Sequence, residues 1–94
     1  MNKLQFFTND GYCWVKVEDI LYFQAEAKKA KLFLRQSLEV SLNMNLNDCL
    51  KKVPQNYFFL INRSILVNLN QVFRLVHLKG NRADLILVNN NSFE

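Results

Sequence analysis

Apolar and polar residues alternate along most of the chain, in short stretches that turn residues separate. Leu4 to Thr8 and Tyr12 to Val17 flank Asn9-Asp10-Gly11. An Asp-Gly pair between two β-prone stretches is a strong hairpin signal, because glycine adopts positive φ without strain. The sequence therefore predicts that the chain opens with a β-hairpin.

The following stretches continue the two-residue period of strands. Ile20 to Glu26 is an apolar and aromatic strand, and Ala27 to Ala30 is predicted to be a polar loop of small residues. Lys31 to Arg35 and Glu39 to Asn43 alternate between apolar and polar positions, with Gln36-Ser37 as the expected turn between them. Alternation of this kind predicts a half-buried sheet.

One segment changes to the helical period. Its apolar residues lie at i, i+3, i+4 and i+7, at Leu46, Cys49, Leu50 and Val53. Asn45 suits the N-cap position, and Pro54 ends the segment. These signals predict a short helix from about Leu46 to Val53, with Leu50 as a buried anchor.

The last third of the chain returns to strands. Val72 to Leu78 and Ala83 to Val88 predict a hairpin around Lys79-Gly80-Asn81-Arg82, and apolar residues at both parities predict burial on two faces. Asn89-Asn90-Asn91 predicts a further turn. Because only Ser92, Phe93 and Glu94 follow, no returning strand is expected and the hairpin looks truncated.

Length and composition agree with a single small domain. The chain has 94 residues, 50% of them hydrophobic, with two Gly and one Pro, so it is expected to fold around one core. Many short strands with one helix are typical of small mainly β sandwiches or barrels. No apolar run reaches the roughly 18 residues of a membrane span, and no signal peptide is visible, so a soluble domain is expected.

The sequence offers little that could carry catalysis or hold a metal. The acidic residues are scattered, Gly11 and Gly80 are too few for a phosphate-binding glycine loop, and the single histidine is His77. Cys13 and Cys49 have no metal-ligand spacing, and we expect both to be reduced and partly buried, as in a cytoplasmic protein. Neither an enzyme nor a cofactor is predicted.

The charge favours binding to a polyanion. The formal net charge is +4, and the cations Lys28, Lys29, Lys31 and Arg35 lie close together with no acid among them. Helix-turn-helix recognition needs two adjacent helices, and the pattern predicts one. A nucleic-acid surface would therefore have to consist of loops or strands.

Three segments resemble a known family. Glu18 to Ala25, Leu46 to Leu50 and Tyr57 to Val72 are similar in order and spacing to the LytTR-type DNA-binding domain of bacterial transcription regulators. Within the last segment, Asn62-Arg63-Ser64 stands where the family has a His-Arg-Ser-like triplet. Asn62 thus replaces the usual histidine, while Val67 and Asn68 match the Val-Asn that follows the triplet.

The resemblance implies an elongated antiparallel β-sandwich of short sheets with one short helix, whose loops enter the grooves of double-stranded DNA. The first loop maps to Ala27 to Lys31 and the second to Asn62-Arg63-Ser64, whereas a third, C-terminal element of the family is missing. Ala30 departs from the larger polar residue that is usual in the first loop. The DNA-binding residues implied are Arg63, Asn62, Ser64, Lys28, Lys29 and Lys31.

These residue types suit DNA. A guanidinium can bridge a phosphate or bind guanine in a bidentate manner, and Asn and Ser can bond phosphates or adenine edges. Alternatively, Arg63 pairs with a surface carboxylate, Ser64 caps the turn at Ile65, and each lysine is simply solvated. Asn68, between two apolar residues, is expected to close a turn with its amide.

The resemblance further implies a cytoplasmic output domain of a response regulator or similar two-component protein, with an expected homodimer on paired half-sites. One alternative is a protein-interaction module on the same fold that has lost operator recognition. Another is a single-strand or RNA binder, which needs exposed aromatics. Its candidates are all expected to pack in the core instead: Phe6, Phe7, Phe58, Phe59 and Phe73.

Overall fold

The computed structural model describes residues 3–77, 80, 83–87 and 92–93, which form mainly strands. The strands and the helix are β1 Lys3–Thr8, β2 Gly11–Lys16, β3 Ile20–Glu26, β4 Lys29–Leu34, β5 Leu38–Ser41, α1 Leu46–Lys52, β6 Phe58–Asn62, β7 Ile65–Asn68, β8 Val72–His77, β9 Ala83–Leu87 and β10 Ser92–Phe93. The domain measures 44 × 30 × 24 Å. The prediction of a mainly β, elongated fold with a short helix is confirmed.

The strands form three antiparallel sheets in the described part of the chain. β1 and β2 form a hairpin, five strands follow the order β5-β4-β3-β7-β6, and three follow the order β10-β9-β8. β3 is the central strand of the largest sheet, since it pairs with β4 on one edge and with β7 on the other. The predicted opening hairpin is confirmed, with Thr8 opposite Gly11 at its turn.

The five-stranded sheet buries both of its faces, which makes the molecule a sandwich. One face packs against the β1–β2 hairpin and α1, with a core that includes Phe6, Phe23, Leu32, Cys49 and Leu66. The other face packs against the three-stranded sheet through Leu21, Tyr22, Ile65, Val67 and Leu87. A β-bulge after Ile20 lets the consecutive residues Leu21 and Tyr22 both contribute to the second cluster.

Helix α1 begins as its sequence signals predict. The side chain of Asn45 accepts a 2.8 Å hydrogen bond from the backbone N–H of Asp48, which satisfies one of the free donors of the first turn. The helix ends at Lys52, one residue before the predicted end, because Val53 precedes proline and is extended, with ψ of 156°. Cys49 and Val53 are buried, whereas Leu50 is only half-buried, so the prediction of Leu50 as a buried anchor is wrong.

The connections next to β4 differ in part from the prediction. The predicted loop from Ala27 to Ala30 is a turn of two residues, Ala27 and Lys28, in which Ala27 has φ of +57°. Ala30 belongs to β4, where its N–H donates to the carbonyl of Met44 at 2.9 Å. The turn at the other end of β4 is where it was predicted, with positive φ at Gln36 and Ser37.

The C-terminal hairpin of β8 and β9 is confirmed, but its burial is not. Phe73 and Leu75 are exposed, because the three-stranded sheet packs only one face against the rest of the described residues. β10 pairs with β9, with Phe93 opposite Leu85, so the expectation of no returning strand is wrong. The turns predicted at residues 79–82 and 89–91 lie largely outside the described residues, which include only Gly80 of these.

Asn68 is the buried polar residue that joins the end of β7 to the start of β3. Its Nδ2 donates to the carbonyl of Ile20 at 2.8 Å, and its Oδ1 accepts from the N–H of Asn70 at 3.0 Å. These bonds fix the short 3-10 helix Leu69–Gln71 after the strand. The structural role predicted for Asn68 is confirmed.

We expect Asn68→Ala to lower the free energy of unfolding by about 1–3 kcal/mol, since it leaves the buried carbonyl of Ile20 without a donor. Urea denaturation measures this loss. Asn70→Ala is the matched control, because the Asn70 side chain is exposed and its backbone N–H is retained. Equal stability of the two variants would show that the buried amide contributes nothing.

Candidate nucleic-acid interface

The sheet topology places two turns at the same end of the molecule. β7 runs antiparallel to β3 and begins at Ile65, opposite Gln24 near the end of β3. Beyond this pair, the N–H of Ala25 donates to the carbonyl of Ser64 at 2.8 Å. The β3–β4 turn and the β6–β7 turn are thus joined directly, although about forty residues of chain separate them.

A cleft of about 530 Å³ lies between these turns and the start of α1. Its polar lining residues are Lys28, Lys29, Asn45, Asn47 and Arg63, and its apolar ones are Ala25, Ala27, Leu46 and Leu60. Three cations therefore line one side of the domain with no acid among the lining residues. The two segments that the sequence predicts as DNA-binding loops contribute to the same surface.

Arg63 is exposed, and its guanidinium is free among the described residues. The two ion pairs found in this part of the chain are both made by Lys31. The alternative in which Arg63 pairs with a surface carboxylate is therefore not seen in the described residues. The N–H donors of the Arg63 guanidinium are therefore accessible to a ligand.

Asn62 shapes the turn that presents Arg63. Its Oδ1 accepts a 2.7 Å hydrogen bond from the N–H of Ser64, which is the bond of an Asx turn. Nδ2 of Asn62 stays on the surface, since the residue is exposed. Ser64 contributes backbone groups to the local structure, and its side chain caps none of the described helices.

The three predicted lysines are not equivalent. Lys28 and Lys29 are exposed at the turn, and Nζ of Lys29 lies 3.4 Å from Oδ1 of Asn9 in the β1–β2 turn. Lys31 lies on β4, and its Nζ is 3.3 Å from Glu39 and 3.6 Å from Glu26. The hydrogen bond to Glu39 and the charges of both carboxylates raise the pKa of Lys31. Lys31 does not line the cleft, and its charge is matched within the protein.

The cleft also contains two asparagines that the sequence did not indicate as binding residues. Asn45 was predicted only as a helix cap, and Asn47 was not singled out, yet both line the cleft. Their signal in the sequence was an Asn-x-Asn run at the start of the helix, in which capping accounts for Asn45 alone. Ala30 is buried in β4, so its methyl group is not on the surface.

The five phenylalanines that could stack on bases do not lie together. Phe6 and Phe58 are buried as predicted, but Phe7, Phe59 and Phe73 are exposed, so the prediction that all five pack in the core is wrong for three of them. These three lie on β1, β6 and β8, which belong to three different sheets. Such separation does not favour the stacking of successive bases of a single strand.

The cysteines are free, as expected. Burial, followed by the negative charge of Asp48, raises the pKa of Cys49 to about 12, and burial also raises the pKa of Cys13. A thiol with a raised pKa is a weak nucleophile at neutral pH. Among the described residues, no group of acids, histidines and cysteines could hold a metal ion, and no described helix is long and apolar enough to cross a membrane.

The chain is similar to known DNA-binding domains. The family model described as the LytTr DNA-binding domain matches residues 10–94. Among solved structures, one described as the LytTr DNA-binding domain of a methyl-accepting/DNA response regulator from Bacillus cereus has a TM-score of 0.82 and 20% identity, over 99% of this chain and 84% of that one. At this identity the likeness establishes the fold. Among curated proteins, none matches the chain with significance.

We expect Asn62→Ala to lower the free energy of unfolding by about 0.5–1.5 kcal/mol, because it removes the acceptor for the N–H of Ser64. Asn62→Asp keeps that acceptor and should change stability by less than about 0.5 kcal/mol. Urea denaturation of both variants measures the difference. An equal loss in the two would mean that the turn does not depend on this bond.

Proposed function

We propose, since the chain belongs to the LytTr DNA-binding domain family, that it binds double-stranded DNA sequence-specifically as the output domain of a bacterial transcription regulator. The observation that carries the proposal is the guanidinium of Arg63, which has no partner among the described residues and lies beside Lys28 and Lys29 on one cleft. Three exposed cations without a carboxylate partner in the described residues suit a polyanion.

The lysines and the arginine have different parts in this proposal. Lys28 and Lys29 neutralise phosphates, which supplies affinity that falls as salt rises, because bound counterions are released. Arg63 reads a base, since its fork of donors matches O6 and N7 of guanine in the major groove. Asn62 adds its free Nδ2, and Ser64 its hydroxyl, toward a phosphate or a base edge.

The reading elements are turns rather than a helix. Helix α1 has seven residues and buries Leu46 and Cys49 against the sheet, and it contributes Asn47 to the lining of the cleft. Both turns instead end strands of one sheet, and the bond between Ala25 and Ser64 holds them in a fixed relation. A rigid pair of turns can approach the same stretch of duplex together, which is what reading a defined sequence requires.

The proposal also includes the location and the oligomeric state of the domain, which we infer from its family. The domain acts in the cytoplasm, without a cofactor, and responds to a receiver or sensor. Two copies bind paired half-sites as a homodimer. Its family is one of DNA-binding domains rather than of enzymes.

We expect Arg63→Ala to weaken binding to a selected duplex by about 1–3 kcal/mol, or roughly 5- to 150-fold, and to relax the preferred sequence. The thermal midpoint should stay nearly unchanged, since the side chain bonds no described residue. Selection from randomised duplexes at two salt concentrations, followed by fluorescence anisotropy, measures both effects.

Lys31→Ala is the matched control, because it removes a nearby cation whose charge Glu26 and Glu39 already balance. Its affinity for the selected duplex should remain within about threefold of the parent, as for a residue without a DNA contact. The proposal would be contradicted if the parent chain selected no common sequence. It would also be contradicted if Arg63→Ala and Lys31→Ala lost equal affinity for the selected duplex.

A further inference from the structure

A second basic cleft lies at the opposite end of β4 from the cleft that contains Arg63. It has a volume of about 400 Å³, and its lining includes Lys3, Trp14, Lys16, Arg35 and Leu38. β4 has six residues between its two ends, which places the two clefts roughly 16 Å apart along the strand. The second cleft shares no lining residue with the first.

The cations of this second cleft repel one another. Lys3 and Lys16 are directly opposite in the β1–β2 hairpin, and like charges in that position are destabilising. Arg35 adds a third positive charge. Asp19 also lines the cleft, but among the described residues its carboxylate forms no ion pair with any of the three. An external anion would relieve this repulsion.

Two large apolar side chains of the same cleft are exposed to solvent. Trp14 is 60% exposed and Leu38 is 57% exposed. Trp14 also continues a row of aromatic rings on the outer face of the hairpin, since its ring centroid is 6.1 Å from that of Tyr12, which is 5.4 Å from that of Phe7. Exposed Trp and Tyr beside arginine are the residue types that dominate binding energy at protein interfaces.

We propose that the second cleft, at Lys3, Trp14, Lys16, Arg35 and Leu38, binds an acidic segment of a partner protein. Carboxylates of the segment pair with the three cations, and an apolar side chain between them packs on Trp14 and Leu38. The exposed Trp14 and Leu38 favour a peptide, because an apolar side chain between two carboxylates can pack on both while the carboxylates reach the cations. Because the first cleft lies at the other end of β4, the domain can hold DNA and this segment together.

The test is a selection from a random dodecapeptide library on phage, with the parent chain as bait and Lys16→Glu/Arg35→Glu as the counter-selection. We expect enriched peptides to carry at least two acids next to Leu, Ile or Phe. Trp14 is the only tryptophan of the sequence, so its fluorescence reports the affinity of each synthetic peptide directly.

The affinity should fall at least about tenfold in Lys16→Glu/Arg35→Glu, since two attractions become repulsions, and less in Lys16→Gln/Arg35→Gln. Lys28→Glu, at the other cleft, is the matched control and should leave peptide binding unchanged. Circular dichroism and urea denaturation establish that each variant is folded, as expected for substitutions at exposed positions.

Three results would overturn the proposal. The first is enrichment of no peptide, or of peptides without acids. The second is that Lys16→Gln/Arg35→Gln and Lys16→Glu/Arg35→Glu bind the enriched peptide as tightly as the parent does. The third is displacement of the peptide by duplex DNA together with weaker DNA binding by Lys16→Glu/Arg35→Glu, which would assign the second cleft to nucleic acid.

Discussion

The pairing of β3 with both β4 and β7 is the constraint on which the rest of the structure depends. A strand that is hydrogen-bonded on both edges and buried on both faces has little freedom of register, because a shift by one residue would move Phe23 and Tyr22 out of the separate clusters in which they pack. The chain segments before and after each partner strand are then fixed as well. The bond between Ala25 and Ser64 is the last contact of this pairing, and it joins the two turns that form the proposed DNA surface.

The local signals of the sequence predicted much of this fold, and the failures arise where distant residues decide. The N-cap at Asn45 and the turn at Gln36 depend on a few neighbouring residues, so the pattern was sufficient. Ala30 was assigned to a loop because its partner Met44 lies fourteen positions along the chain. Lys31 looked like a free cation because only the strand register brings Glu39 beside it. The exposure of Phe73 likewise depends on which sheet face meets another sheet, which alternation alone does not specify.

Each of the two clefts, at opposite ends of β4, has three cations in its lining. Near the middle of β4, the carboxylates of Glu26 and Glu39 balance Lys31. The six cations of the two clefts form no ion pairs in the described residues, so their charges are available to a ligand. Both clefts combine cations with apolar side chains. Asparagines and Leu60 accompany Arg63, whereas the exposed Trp14 and Leu38 accompany Arg35, and tryptophan beside arginine is typical of protein interfaces.

The most direct test of whether DNA binds at the Arg63 cleft and not at the Trp14 cleft is nuclear magnetic resonance of the ¹⁵N-labelled domain, with a selected duplex added stepwise. We expect the largest amide shift changes in the turns at residues 27–29 and 62–64, while the single indole N–H signal of Trp14 stays in place. Changes that centre on Trp14 and Arg35, with the turns unaffected, would show that DNA binds at the second cleft instead.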